Sequence, residues 1–290
     1  MLVVLGLVAL RGIAVTFTNY LWFGSVGLAS VWRNIISTRA ALALVFSGIF
    51  ALSCWISLAV AQRMAQPSDL DLRSRSVDFD GESGVEGPEG AAALERRVFG
   101  SQDDVATRYR GSIAFRHPLA VRNIVSVVLG VLVGVGASAE WNNWILFDHA
   151  VSFGITDPVF HRDVGFFVFR LPFLSFVAGW AFVALLVLVL VTAAAHYLGG
   201  GIRLQGPDER VSGPAKAQLS VLFALIALAK AGGYYLARFQ LDISTNGYAE
   251  GAFYSSVHAK MPALTLLIFV ALASMFIFVL NIGRRGWVLP

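Results

Sequence analysis

The 23 residues from Phe173 to Ala195 contain no charged side chain, and this run constrains the chain more than any other feature. As an α-helix rising about 1.5 Å per residue it would be roughly 34 Å long, enough to cross a hydrocarbon core of about 30 Å. Pro172 suits the first turn of such a helix, the glycines from Gly199 to Gly201 supply a stop, and Arg203 follows as a cation of the kind kept on the cytoplasmic side. A chain built around this segment has the bilayer as its solvent. Composition agrees: 57% of residues are hydrophobic and 14% charged, against roughly 25% charged in soluble domains. The mean hydropathy is +0.71.

Further apolar runs lie at Met1 to Phe17, Ala40 to Ala61, Val121 to Ala139, Ala217 to Leu236 and Pro262 to Ile282. The expected fold is therefore all-α, a polytopic transmembrane helix bundle with about six membrane spans plus interfacial helices. The first run has no basic region before it and no small-residue cleavage site after it, so it reads as an uncleaved anchor. Residues 1–61 form the first two spans, joined by an outward loop from Asn19 to Arg39 that carries Tyr20, Trp22, Phe23 and Trp32, aromatics suited to the headgroup level. Residues 62–116 form a hydrophilic cytoplasmic loop. Its stretch from Gln66 to Ala93 is too poor in large apolar residues to offset the entropy of ordering it, and Ser101 with Asp104 resembles a capping box. Residues 117–290 form a four-span bundle with outward loops at 140–170 and 237–261. Gly130 and Gly134 make a GxxxG pair that permits close helix approach.

Charge sets direction. Of the 22 Lys and Arg residues, fourteen lie in loops after spans two, four and six, counting Arg122 at the very start of span three, and six lie in loops after spans one, three and five. The positive-inside rule then places the amino terminus and the even-numbered loops in the cytoplasm. The net charge of +4 is topological, because no Lys/Arg stripe interleaved with aromatics is present to bind nucleic acid. The single cysteine, Cys54, lies in an apolar run, which excludes an internal disulfide or a CxxC metal site and reads as a small buried hydrophobe.

Four ordered stretches, Phe17 to Gly27 (FTNYLWFGSVG), Asp157 to Pro172 (DPVFHRDVGFFVFRLP), Lys230 to Tyr235 with Arg238, and Gly251 to Leu264 (GAFYSSVHAKMPAL), resemble the signatures of the bacterial uncharacterised protein family numbered 0182. The resemblance covers the whole chain. It implies an integral membrane protein with seven amino-terminal spans and a large extracytoplasmic portion beyond them, with no established activity, and places this chain in the bacterial inner membrane. Pro290 then stands at the threshold of a seventh span. Asn19 and Ser255-Ser256 depart from an acid-bearing pattern expected at those places.

Candidate chemistry is sparse. The outward loops hold Glu140, Asp148, His149, Asp157, His161, Asp163, Asp242, Glu250 and His258. Imidazole and carboxylate together can bind a divalent metal, but no HExxH or comparable spacing is present, and the polar cluster Asp157, His161 and Asp163 is as well explained by a hydrogen-bonded turn after Asp157-Pro158. No GxSxG elbow or phosphate-binding glycine motif is present. No metal and no cofactor is expected, and no catalytic constellation. An ionisable side chain inside a span is a functional candidate by default, which singles out Lys230 and Arg11 as lipid or anion contacts. Each has a plainer reading as a snorkelling cation, Lys230 lying about 9 Å from the end of a span that stops at Leu236. None of the six expected spans contains Asp or Glu, which counts against a proton-coupled carrier. The favoured reading is a non-enzymatic scaffold or accessory subunit of a larger membrane complex, with membrane lipids and other membrane subunits as partners. The alternative is a transporter or lipid-handling component that binds an anionic ligand near Lys230, and an enzyme comes third.

Overall fold

The computed structural model describes residues 2–64, 118–199, 202, 211–243, 251 and 253–284, with side chains omitted at 2–9, 13, 283 and 284. The expected loop at 66–93, the capping box at Ser101 and the outward Glu250 lie outside the described residues. The described chain is helical: α1 (Leu2–Ser25), α2 (Ala29–Met64), α3 (Pro118–Gly134), a 3-10 turn (Val135–Glu140), α4 (Trp141–Asp148), α5 (Leu171–Leu198), α6 (Gly213–Gln240) and α7 (Met261–Arg284). No named strand occurs among these residues, only the isolated bridges Thr156 to Asp163 and Ile202 to Val211. Five helical stretches are long and apolar enough to cross a membrane: Ala29–Met64, Pro118–Asp148, Phe166–Leu198, Gly213–Gln240 and Ser256–Ile282. They correspond to expected spans two to six. The first expected span falls within α1.

Proline sets the helix starts. Pro118 opens α3, and Pro172, Pro214 and Pro262 are the second residues of α5, α6 and α7. There a missing N–H costs nothing and the fixed φ is already helical. Ahead of two of them the helix carries on backwards as a π turn, Phe166–Arg170 before α5 and Ser256–Lys260 before α7. Proline cannot donate to the carbonyl four residues earlier and crowds it. In both places the residue before the proline reaches back five positions instead, Leu171 N–H to Phe166 O and Met261 N–H to Ser256 O.

Consecutive spans pack antiparallel. Gly130 and Gly134 of α3 lie on α2 so closely that a Cβ on Gly130 would meet Ala51 Cβ at 2.7 Å and Ser47 O at 2.9 Å, and one on Gly134 would overlap the Ser47 backbone. The Trp55 indole donates to Asn123 Oδ1 at 3.0 Å, and Gln62 Nε2 donates to Pro118 O at 3.1 Å. The core forms where α2, α5 and α6 meet, from Phe50, Cys54, Leu58, Ala184, Leu188, Val189, Leu219 and Leu222. A second cluster near the start of α5 joins Leu42, Phe46, Ala137 and Phe173. The carboxyl ends of α2, α5 and α7 and the amino ends of α3 and α6 thus share one end of the bundle. The loop at 149–165 lies at the other, called the loop end below.

Two expectations need correction. Asn19 to Arg39 is not a loop. The α1 helix runs to Ser25 and α2 starts at Ala29, making α2 36 residues long, about 54 Å. Aromatics and serines do not themselves break a helix, and the reversal needs only Gly27 in the left-handed region at φ 73°, with Leu28 N–H bonded to Phe23 O at 2.8 Å. Second, α6 does not stop at Leu236 but continues to Gln240, because Ala237, Arg238 and Phe239 carry no helix-breaking signal. Lys230 is then about 15 Å from that end, close to the middle of the helix.

Candidate functional site

Near the middle of α6, the Lys230 ammonium lies 3.9 Å from the centroid of the Phe182 ring on α5 and 5.7 Å from that of Tyr234. Antiparallel packing of α5 on α6 creates this cage. The ring faces stabilise a cation electrostatically where water is scarce. No carboxylate pairs with Lys230 among the described residues; the ion pair there is His149 with Asp148, on the surface. Arg11, the other expected intramembrane cation, is exposed on α1 and does not join Lys230.

A second feature escaped the sequence reading. Gln218 of α6 donates from Nε2 to Ser57 O at 2.8 Å and to Ser57 Oγ at 3.0 Å on α2. Ser57 Oγ is 2.6 Å from Thr192 Oγ1 on α5, and Thr192 donates to Leu188 O at 2.7 Å. His196 Nε2 is 2.8 Å from Gln218 Oε1. With the amide nitrogen committed to Ser57, Oε1 can only accept, so His196 carries its proton on Nε2. Every bond in this chain has one direction. Thr192 is 0% and His196 1% exposed. Ser57, Thr192 and Gln218 sit about 8 to 10 Å inside the helix ends, with His196 one turn nearer the end of α5, so one polar layer ties three helices together. The available signal was a polar residue at equal depth in three spans, but His196 lies one residue beyond the uncharged run that drew attention first. Beside this layer, Asn281 of α7 donates to Ser220 of α6 at 3.0 Å.

The expected outward cluster resolves into two separate turns. Asp163 accepts from Ser152 Oγ at 2.6 Å and from the backbone N–H groups of Phe153, Gly154 and Gly165. The Ser152 hydroxyl, with the backbone donors, holds its carboxyl below the usual carboxylate range. Asp157 is 7% exposed and uses Oδ2 to accept from Val159 N at 2.9 Å and Phe160 N at 2.5 Å. This is the hydrogen-bonded turn expected after Asp157-Pro158. His161, between them, is exposed and held at φ 53°, with its N–H on Asp157 O at 2.9 Å.

Asp157 has a different partner from those expected. Its carboxyl meets that of Asp242, just past the end of α6, in hydrogen-bond contact, and Asp242 is pushed up to about 6 by burial, by that bond and by the charge of Asp157. Apolar contacts bring the two acids together. Phe167, Leu171 and Phe239 form a small buried cluster with Phe160, Phe166 and Leu236 against it, and Phe160 and Phe239 have ring centroids 4.8 Å apart.

The remaining candidates stay apart. Glu140 accepts from Asn143 at 2.6 Å, His149 Nδ1 lies 3.1 Å from Ile145 O, and His258 Nδ1 lies 3.1 Å from Tyr254 O with the two rings stacked. Among the described residues no three His, Cys, Asp or Glu side chains converge as a metal site. Cys54 is buried in the core.

The profile of the uncharacterised protein family UPF0182 matches residues 1–290. A UPF0182 protein of Frankia alni is 36% identical over 272 residues, covering 94% of this chain and 24% of the relative. One from a Nocardioides species is 33% identical over 289 residues, 99% of this chain and 26% of the relative. One from Streptomyces coelicolor is 29% identical over 301 residues, 100% of this chain and 27% of the relative. The chain therefore spans about a quarter of the length of the curated relatives it matches. No solved structure matches it.

Proposed function

The chain belongs to the uncharacterised protein family UPF0182, and from that premise we propose that it serves as a scaffold or accessory subunit of a larger membrane complex, without catalytic activity of its own. The observation that carries this reading is the surface of the last span. Along Ser256–Ile282 only 6% of the most apolar stretch is buried, and Leu266, Phe269 and Phe276 are exposed. The α7 helix packs against α6 and offers its remaining faces to lipid or to other helices. Lipid alone would satisfy those side chains, so the discriminating measurement is of assembly. Native mass spectrometry of the full-length protein, extracted gently from its own membranes, should give a stoichiometric complex with other polypeptides. Recovery as a lone chain or homo-oligomer would overturn the reading.

The same proposal sets the protein in the bacterial inner membrane with its amino terminus in the cytoplasm, so that the loop end faces outward. This orientation rests on the Lys and Arg distribution. Membrane lipids and neighbouring subunits are its partners, and nucleic acid is not.

One observation favours a second reading, a transporter or lipid-handling component. Lys230 lies mid-helix against Phe182, with no carboxylate paired to it among the described residues. A cation in that setting attracts anionic headgroups or substrates. Replacement Lys230→Met should then reduce copurified anionic lipid several-fold while leaving the assembly intact. Unchanged lipid would remove this reading.

A further inference from the structure

We propose that Asp157 and Asp242 form a proton-operated latch that holds the loop at 149–165, and the π turn that follows it, against the end of α6. Phe160, Phe166, Phe167 and Leu171 meet Phe239 and Leu236 in an apolar clasp that pulls the loop onto α6. The same clasp brings a 93% buried carboxyl, Asp157, against a half-buried one, Asp242. Two ionised carboxylates in hydrogen-bond contact repel, whereas one shared proton converts the contact into a bond. The clasp and the acid pair therefore pull together when one proton is bound and oppose each other when it is lost.

Other charged groups lie on the elements around the pair, and on the π turn before α7 these are His258, stacked on Tyr254, and Lys260, both exposed. On the loop, the Arg162 guanidinium lies over the Phe166 ring at 5.6 Å, Asp163 is bonded to Ser152 and three backbone N–H groups, and His161 is exposed. On the π turn, Arg170 is exposed. On α6, Arg238 lies one turn before Asp242 with its Nε buried and without a partner, and Tyr235 packs against Phe239 at 5.3 Å. Of these groups, Asp157 is the one whose charge bears on Asp242.

The direction of the pH response follows. Undocked, Asp242 titrates near the ordinary 3.9; docked, it titrates at about 6. The docked form binds the proton more tightly, so docking is strongest below about pH 4 and is lost as pH rises through 6. Two units correspond to about a hundredfold in proton affinity, and solvent screening at a half-buried site lowers the expected effect on docking to roughly tenfold. The latch thus grips in acid and slackens at neutral pH. The π turn that it holds is the first turn of a span, so its release reaches the membrane-embedded part of α5 directly.

The test uses the full chain in lipid nanodiscs with Cys54→Ala and a nitroxide on Ile155→Cys, an exposed position two residues from Asp157. The mobile fraction of the spin label should rise about tenfold relative to the immobile fraction between pH 4.5 and 7.5, with a midpoint near 6. In Asp242→Asn the amide donates to Asp157 at every pH, so the label should stay immobile throughout. In Phe239→Ala the clasp is lost and the label should be mobile throughout, which shows that the probe reports docking even if one variant folds poorly. A wild-type spectrum unchanged over this range, or the same transition persisting in Asp242→Asn, would overturn the proposal.

Discussion

Gly134→Ala is the most informative single change in the bundle. The added Cβ would overlap the backbone nitrogen, Cα and Oγ of Ser47, and backbone cannot swing aside as the tip of a long side chain can. Carbon atoms prefer separations of about 3.5 to 4.0 Å, so α3 must move away from α2 by about 1 Å. A gap of that size forfeits a quarter to a half of the dispersion energy of each contact that it opens. The neighbouring contacts are those of Gly130 with Ala51, while Trp180 Nε1 donates to Val133 O at 3.1 Å and stands to lose that bond, worth about 1 kcal/mol. Overpacking of a close interface costs about 1 to 3 kcal/mol, and with the lost bond the total is about 3 kcal/mol. Gly179→Ala is the control, because its new Cβ meets nothing within 4 Å. Both variants add one methyl group to an apolar helix, and only one of them adds it to an interface. Unfolding of the full-length protein in mild detergent by SDS titration, followed by circular dichroism, measures the difference. If Gly134→Ala unfolds within about 0.5 kcal/mol of Gly179→Ala, the close approach of α2 and α3 does not hold the bundle together in the way described.

Gln218→Leu leaves the Ser57 hydroxyl and the His196 ring without their shared partner, and should cost about 1 to 2 kcal/mol in the same titration. Asp163→Asn should make the loop at 149–165 cut faster by added protease at neutral pH, with little effect on the spans. In the wild type, the depressed titration of Asp163 means that its contribution is complete above about pH 4 and is lost as pH falls through its own lower value, so the loss of its bonds should add protease sensitivity to the loop in stronger acid. That window lies below the one in which the Asp157–Asp242 latch operates, and the two effects separate on a single pH series.

What could be read directly from the residues was whatever depends on local order along the chain. The uncharged run from Phe173 to Ala195 has to be helical in a bilayer, because a single continuous apolar segment of that length satisfies its own backbone there only as a helix. Pro172 and Pro262 announce where two spans begin, and Gly130 with Gly134 announces a close helix contact. The turn after Asp157-Pro158 was also legible, since an Asx side chain bonding its own backbone needs only neighbours in sequence. The full length of α2 and of α6 was less so, because the aromatic and alanine residues beyond each apolar core are compatible with either helix or loop. Only the tertiary structure decided which distant groups meet. Ser57, Thr192, His196 and Gln218 come from three spans, and Asp157 and Asp242 lie 85 residues apart in the sequence. Lys230 looked like a cation snorkelling to an interface, and packing placed it over Phe182 instead. Hydropathy reports the free energy of moving each side chain into lipid. The rotation of each helix about its own axis, which settles what faces what, depends on packing against neighbours that are distant in sequence.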